Sequence, residues 1–248
     1  MHTTLYNSGS GTAYGSLSTT TTETTIANGP SIQDLNYTYD AVGNIITITD
    51  NSAGGTGHTI TYSYDDFHRL TQATTTAASS TPFKHTFAYS HIGNITGMNT
   101  GSGTSTYTYS TTTYANPHAA VAINGVTYTY DNNGNLTAVG SGVGATNYTW
   151  DWRNRLTQTA TGTATTTYGY DENNQRVRRT ILGSATTTYP NQYYNYSTSG
   201  TTTAHILLPD GTPIATVEAN GTATTTYWNL LDHLGSIHSV TNASGTPV

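Results

Sequence analysis

The sequence predicts an all-β protein made of tandem β-hairpins. Three observations carry this: a composition dominated by Thr, Tyr and Gly, a recurrent Tyr-x-Tyr-Asp motif, and a Gly-Asn turn signal that follows it. Thr occurs 57 times, Gly 25 times and Tyr 20 times in the 248 residues. Thr and Tyr suit pleated, half-buried surfaces, and helix formers such as Glu, Lys and Met are scarce. No stretch has a convincing helical period.

The motif recurs with little drift. Its copies are Tyr37-Thr38-Tyr39-Asp40, Tyr62-Ser63-Tyr64-Asp65, Phe87-Ala88-Tyr89-Ser90, Tyr107-Thr108-Tyr109-Ser110, Tyr128-Thr129-Tyr130-Asp131, Tyr148-Thr149-Trp150-Asp151 and Tyr168-Gly169-Tyr170-Asp171. The second aromatics stand 25, 25, 20, 21, 20 and 20 residues apart, and Tyr194-Asn195-Tyr196 is a degenerate further copy. A fixed period of this size marks a repeat architecture.

Each element of the hairpin has a physical reason. Aromatics two residues apart share one face of a strand. The Asp side chain can accept bonds from backbone amides in the turn, and Gly43 or Gly134 followed by Asn supplies residues that tolerate positive φ. An aliphatic residue then opens the return strand, as in Ile45-Ile46-Thr47-Ile48-Thr49. Three regions follow from the pattern. Residues 1–34 form a Ser/Thr/Gly-rich lead-in expected to add strands, 35–200 the hairpin array, and 201–248 an end segment with a Pro209-Asp210-Gly211 turn. Asn116-Pro117-His118 interrupts the fourth copy, at an edge or turn.

Composition excludes several functions. Charged residues make up 8% of the chain, against roughly 25% in an average domain. The hydrophobic fraction is 34%, so the expected core is thin and tyrosines supply much of it. Aromatics at 10% and a net charge of -6 argue for order. Nucleic-acid binding needs clustered Lys and Arg, and Arg176-Val177-Arg178-Arg179 reads as one solvated strand face. Cysteine is absent, which removes disulfides and thiol chemistry. No apolar run is long enough to span a membrane. Residues 1–29 lack the pattern of a signal peptide, so the expectation is another export route, or a segment of a longer or processed chain.

These motifs resemble the YD repeat of Rhs proteins, teneurins and the C components of Tc toxin complexes. Ala115-Asn116-Pro117-His118-Ala119-Ala120-Val121 and Asp171-Glu172-Asn173-Asn174-Gln175-Arg176-Val177 resemble recurrent Rhs phrases. Asp232-His233-Leu234-Gly235-Ser236, followed by Val240-Thr241, resembles the phrase near the end of an Rhs core. The resemblance spans roughly residues 35–248. It implies a β-sheet spiral that forms a hollow shell, which in toxin-type members encloses an effector released by an aspartyl protease-like segment. Neither that segment nor an effector is expected within these residues, so encapsulation and self-cleavage are not carried over.

No catalytic residue, metal site or cofactor is expected. Asp40, Asp65, Asp131, Asp151 and Asp171 occur once per hairpin, which suits turn stabilisation better than acid/base pairs for glycoside chemistry. Asp232 and His233 are adjacent, and neighbours on a strand face opposite sides, which disfavours a dyad. The nine histidines lack zinc spacing, and Asp65-Asp66 has no calcium loop around it. Trp150, Trp152, Trp228 and the tyrosines could form a sugar-stacking surface, with cross-strand packing the plainer reading. Seven Asn-x-Ser/Thr sequons, including Asn36, Asn135 and Asn147, are near chance in so Thr-rich a chain.

The expected function is a non-catalytic structural scaffold, cell-surface or secreted by an unidentified route. Its partners are other copies, joined through open sheet edges into a filament or tube, or further segments of an Rhs-type chain. A piece of a toxin-encapsulating shell and a carbohydrate-binding adhesin are the alternatives.

Overall fold

The structure, a computed structural model, describes residues 2–7, 19–25, 31–52, 58–76, 82–110 and 116–248. Ala115, and those parts of the lead-in that are not in strands, lie outside the described residues. Among the described residues there are 22 strands, and the one helical element is a 3-10 turn at Gly142–Gly144. The protein is all-β.

The first strands are β1 (His2–Asn7), β2 (Thr19–Thr25), β3 (Ser31–Tyr39), β4 (Ile45–Asp50), β5 (His58–Tyr64), β6 (Leu70–Thr76) and β7 (Lys84–Tyr89). They continue with β8 (Ile95–Asn99), β9 (Thr104–Tyr109), β10 (Ala120–Ile123), β11 (Val126–Tyr130), β12 (Leu136–Val139), β13 (Thr146–Trp150) and β14 (Leu156–Thr161). The last are β15 (Ala164–Tyr170), β16 (Arg176–Ile181), β17 (Thr186–Asn191), β18 (Tyr194–Ser197), β19 (Thr201–Leu207), β20 (Pro213–Asn220), β21 (Ala223–Leu231) and β22 (Ile237–Asn242).

The described chain separates into two compact units. One comprises Met1–Tyr89, Gly97–Thr104 and Tyr227–Val248, the other Ser90–Thr96 and Ser105–Thr226. In the first unit β1 through β7 pair antiparallel, each with its successor, and β21 pairs with β22. In the second, the same nearest-neighbour meander runs from β9 to β20. Hairpin pairing of sequence neighbours follows from loops too short for any other connection.

The core is thin. In the first unit Gln33, Leu35 and Tyr37 alternate along β3 as buried residues, joined by Ala73, Leu230 and Thr241. In the second, Ala145 and Ala215 are the buried apolar side chains among those described, with Asn94 also buried. Threonine supplies the rest of the sheet chemistry. Thr49 and Thr59, Thr146 and Thr161, and Thr180 and Thr186 face each other across strand pairs, with hydroxyls 2.9, 2.8 and 3.0 Å apart. Such cross-strand Thr pairs stabilise a sheet by roughly 0.2–1 kcal/mol each.

The ladder slips at the same place in five motif copies. Thr38 pairs with Thr47 but Tyr39 pairs with Ile45, which makes Ile46 an extra residue. The same bulge occurs opposite Tyr64, Tyr130, Trp150 and Tyr170. At two of these the extra residue is a threonine whose hydroxyl returns to the opposing backbone. Thr71 Oγ1 donates to Ser63 O and Thr157 Oγ1 to Thr149 O, both at 3.0 Å.

Candidate functional site

The chemistry of this chain is concentrated in its turns. At Asp40 the turn closes with the Asp40 N–H donating to Asn44 O at 2.9 Å and the Gly43 N–H to Asp40 O at 3.2 Å. Gly43 has φ +93°, the left-handed conformation that a three-residue hairpin loop with a following bulge requires. The Asp40 carboxylate fills the turn: Oδ1 accepts from the Val42 and Asn44 amides at 3.0 and 2.8 Å, and Oδ2 from Asn44 Nδ2 at 2.7 Å.

The same loop forms at Asp65, Asp131, Asp151 and Asp171, where Oδ1 accepts from the amides two and four residues on. The left-handed position is Gly43 and Gly134 in the first and third of these five turns and His68, Asn154 and Asn174 in the other three. At position four of the Asp40, Asp65, Asp131 and Asp151 turns an Asn or Arg reaches Oδ2. Asn135 does so at 2.9 Å, and Arg69 and Arg155 form ion pairs at 2.7 and 2.8 Å. The Arg69 side chain holds the Asp65 carboxyl below its ordinary value, and the Asn135 amide does the same for Asp131. At Asp40 and Asp151 partial burial opposes the shift, but hydrogen bonds to Asn44 and Arg155 prevail and the carboxyls are lowered.

The second aromatic of each copy joins it to the copy before. Tyr64 Oη donates to Ile45 O at 2.8 Å, Tyr89 to Leu70 O at 2.7 Å, and Tyr109 to Ile95 O at 2.9 Å. Tyr130 Oη reaches Ala120 O, Trp150 Nε1 reaches Leu136 O, and Tyr170 Oη reaches Leu156 O, at 2.7, 2.7 and 2.8 Å. The acceptor is the residue that opens the previous return strand. At Ile45, Leu70, Ala120, Leu136 and Leu156 it sits at a register shift, where the regular ladder is interrupted. Burial raises the stapling Tyr64, Tyr89 and Tyr109 hydroxyls, and that of Tyr62, above their ordinary pKa.

Turns are also strapped to turns. Asn44 Nδ2 lies 3.1 Å from His68 Nδ1, and Asn133 and Asn135 both donate to Asn154 Oδ1. Arg155 extends to Asp171 O at 3.1 Å and Asn174 Oδ1 at 3.3 Å. Its guanidinium lies 4.9 Å above the Tyr170 ring, as Arg69 lies 4.7 Å above Tyr89. One arginine thus neutralises the aspartate of its own turn and covers the staple of the next. The left-handed residue is Gly where it only turns, and Asn or His where it also takes a bond from the preceding copy.

Residues 30–210 match the teneurin YD-shell family. The chain belongs to that family. As a YD-shell member it is a structural β scaffold. No curated protein matches the chain. Among solved structures, it is similar to the TcdB2-TccC3-TEV crystal structure at 15% identity, covering 94% of this chain and 16% of that one, with a TM-score of 0.40. For the TcdB2-TccC3 crystal structure the values are 13%, 93%, 17% and 0.38. For the Photorhabdus luminescens Tc holotoxin pore they are 14%, 92%, 17% and 0.31. The YD-shell chain therefore spans about a sixth of the length of each of these chains.

Most of the residues singled out in the sequence lie in the turn ladder of this YD-shell protein. Tyr37 is buried, and Tyr62, Tyr128, Tyr148 and Tyr168 are half-buried beside the stapling aromatics. Asp232 to Ser236, read in the sequence as a separate end motif, forms the same turn: Asp232 Oδ1 accepts from the Leu234 and Ser236 amides at 2.9 Å each, and Gly235 has φ +81°. Asp232 and His233 serve different partners, since the His233 ring packs on Tyr37 with centroids 4.3 Å apart. Leu234 is exposed at the turn tip.

Sequence reading missed Gln33 and Asn242, and it placed Ser90 in the motif without assigning its bond. Gln33 is buried and donates from Nε2 to Leu231 O at 2.8 Å, fixing β3 to β21. Its signal was the alternation Gln33-Leu35-Tyr37, visible only once the strand was placed. Ser90 and Asn242 take the aspartate role, Ser90 Oγ accepting from the Asn94 amide and Asn242 Oδ1 from those of Ser244 and Thr246. Their signal is the glycine three residues on, Gly93 and Gly245. Among the described residues no group of three or more His, Asp or Glu side chains is placed to hold a metal, and no helix is long and apolar enough to cross a membrane.

Proposed function

We propose that this YD-shell chain is a non-catalytic wall-building scaffold at the cell surface or secreted, whose copies extend the wall by strand addition into a filament or tube. The carrying observation is the aromatic staple repeated from Tyr64 to Tyr170, which couples each hairpin to its predecessor by one donor and one bulge carbonyl. Such coupling is propagated by repetition and needs no unique centre. On its outer side β22 is paired by the chain's own residues, with the Val248 N–H donating to Val240 O at 3.0 Å and Thr241 bridging Pro247, so strand addition there displaces or extends this pairing.

Negative-stain electron microscopy of the protein from its native source tests this. Regular filaments or tubes support assembly through strand edges, and a compact monomer at high concentration in solution scattering removes it.

A second reading is a wall segment of an Rhs-type toxin shell. It is favoured by the docking of the Asp232–Ser236 turn on the first repeat through Tyr37 and His233. Isolated hollow particles, or a longer reading frame with a protease-like segment and an effector, would select it.

A further inference from the structure

The staple ladder stops at Tyr170, and the surface beyond it is built differently. After the Asp171 turn, β17 and β18 join through Gln192-Tyr193, with Asn191 opposite Tyr194 across a register shift. Between this hairpin, the start of β16 and His205 lies a cleft of about 570 Å³. That falls within the ~300–1,000 Å³ of small-molecule sites.

Two features set its lining apart from the stapling aromatics of the array. Tyr193 and Tyr194 are 54% and 38% exposed, and no hydrogen bond links their hydroxyls, or that of Tyr189, to any described residue. The stapling tyrosines, in contrast, each spend their hydroxyl on a carbonyl. Polar groups meet these rings and are held in place. Asn195 Nδ2 is 3.0 Å from His205 Nε2, the Tyr193 amide donates to Asn191 Oδ1 at 2.9 Å, and the His205 amide donates to Tyr193 O at 2.8 Å. The Arg176 guanidinium stacks 4.9 Å above Tyr189.

We propose that this cleft binds a saccharide. Pyranose rings have an apolar C–H face that lies on an aromatic ring and a rim of hydroxyls that each donate and accept. Tyr193 and Tyr194 supply the first surface, and Asn195, Gln192, Arg176 and the tyrosine hydroxyls supply partners for the second. Charge points the same way. Arg176 shares the lining with Asp171, so the cleft has no single-sign field of the kind that captures phosphates or nucleic acid. The polar rim disfavours a purely apolar ligand, which would leave those groups desolvated and unpaired. Groups already fixed by local bonds lose little freedom on binding. The site does not depend on how copies assemble.

Saturation-transfer difference NMR on the intact 248-residue chain, with maltotriose, cellotriose, chitobiose and sialyllactose as probes, tests the proposal. Transfer to ring protons of at least one sugar is expected. Tyr193→Ala and Asn195→Ala should each weaken its affinity about tenfold, with the Trp152→Ala control unchanged. Thermal melts verify that each variant folds, and Gln192→Ala at the exposed loop replaces either that does not. Absence of transfer to all four sugars overturns the site. So does binding that survives Tyr193→Ala or is lost in Trp152→Ala, because the sugar then sits elsewhere.

Discussion

The ring of His233 lies against that of Tyr37, centroids 4.3 Å apart and planes tilted by 54°. These residues are 196 positions apart, and Tyr37 is almost completely buried. The contact brings the Asp232 turn onto the first repeat, alongside the Gln33 bond to Leu231. Removal of a buried ring of this size costs about 3–5 kcal/mol, so Tyr37→Ala is expected to destabilise the protein by that amount in urea titration. A double-mutant cycle of Tyr37→Ala with His233→Ala should give a coupling of about 0.5–1.5 kcal/mol. Strict additivity would mean that the rings touch without stabilising each other.

The staples predict a uniform, modest effect. Tyr170→Phe keeps the ring, with Arg155 above it, and deletes only the bond to Leu156 O. The expected loss is about 1 kcal/mol. Tyr64→Phe should lose a similar amount, and the two together should sum, since they share no partner. Chemical denaturation of the three variants measures this.

The turn aspartates predict an acid limit. Arg69 and the turn amides hold Asp65 below its ordinary value of 3.8. A carboxyl lowered in the folded state contributes stability that is complete above that value and is lost as pH falls through the folded pKa. Stability should therefore drop below about pH 4, where Asp65, Asp131 and Asp40 protonate. Asp65→Ala should be less stable than Asp65→Asn at neutral pH, because Asn keeps one acceptor for the amides. The deficit of Asp65→Asn against the wild type should narrow in thermal melts run near pH 2–3.

Tyrosine sets the opposite limit. Burial raises Tyr64 and Tyr89 above their ordinary value of 10.0. Their contribution is complete below that value and is lost as pH rises through the folded pKa. Melting temperature should accordingly fall above about pH 10, together with the appearance of tyrosinate absorbance.

Glycine replacements should differ by position. A Cβ on Gly134 or on Gly144 meets nothing within 4 Å, but Gly134 has φ +85°. Gly134→Ala should cost about 1–2 kcal/mol through left-handed strain alone. Gly144→Ala, in the 3-10 turn, should be neutral or stabilise by up to about 1 kcal/mol by restricting the unfolded chain. Equal effects in urea titration would refute backbone strain as the cause.

The sequence by itself determined the all-β class, the hairpin period and the placement of turns at Asp40, Asp65, Asp131, Asp151 and Asp171. These are local properties: strand alternation, an acceptor side chain and a glycine or asparagine that turns left-handed all act within about six residues. Where the local signal was weaker, as at Ser90 and Asn242, the turn still formed because the glycine three residues on carried it. What lies between copies was decided only in three dimensions. The reach of Tyr170 to Leu156 O, of Arg155 to the next turn and of His233 to Tyr37 each depends on register, on a one-residue bulge and on which strands meet. No period in the sequence encodes a carbonyl left open by a bulge, because that opening exists only once two strands have paired.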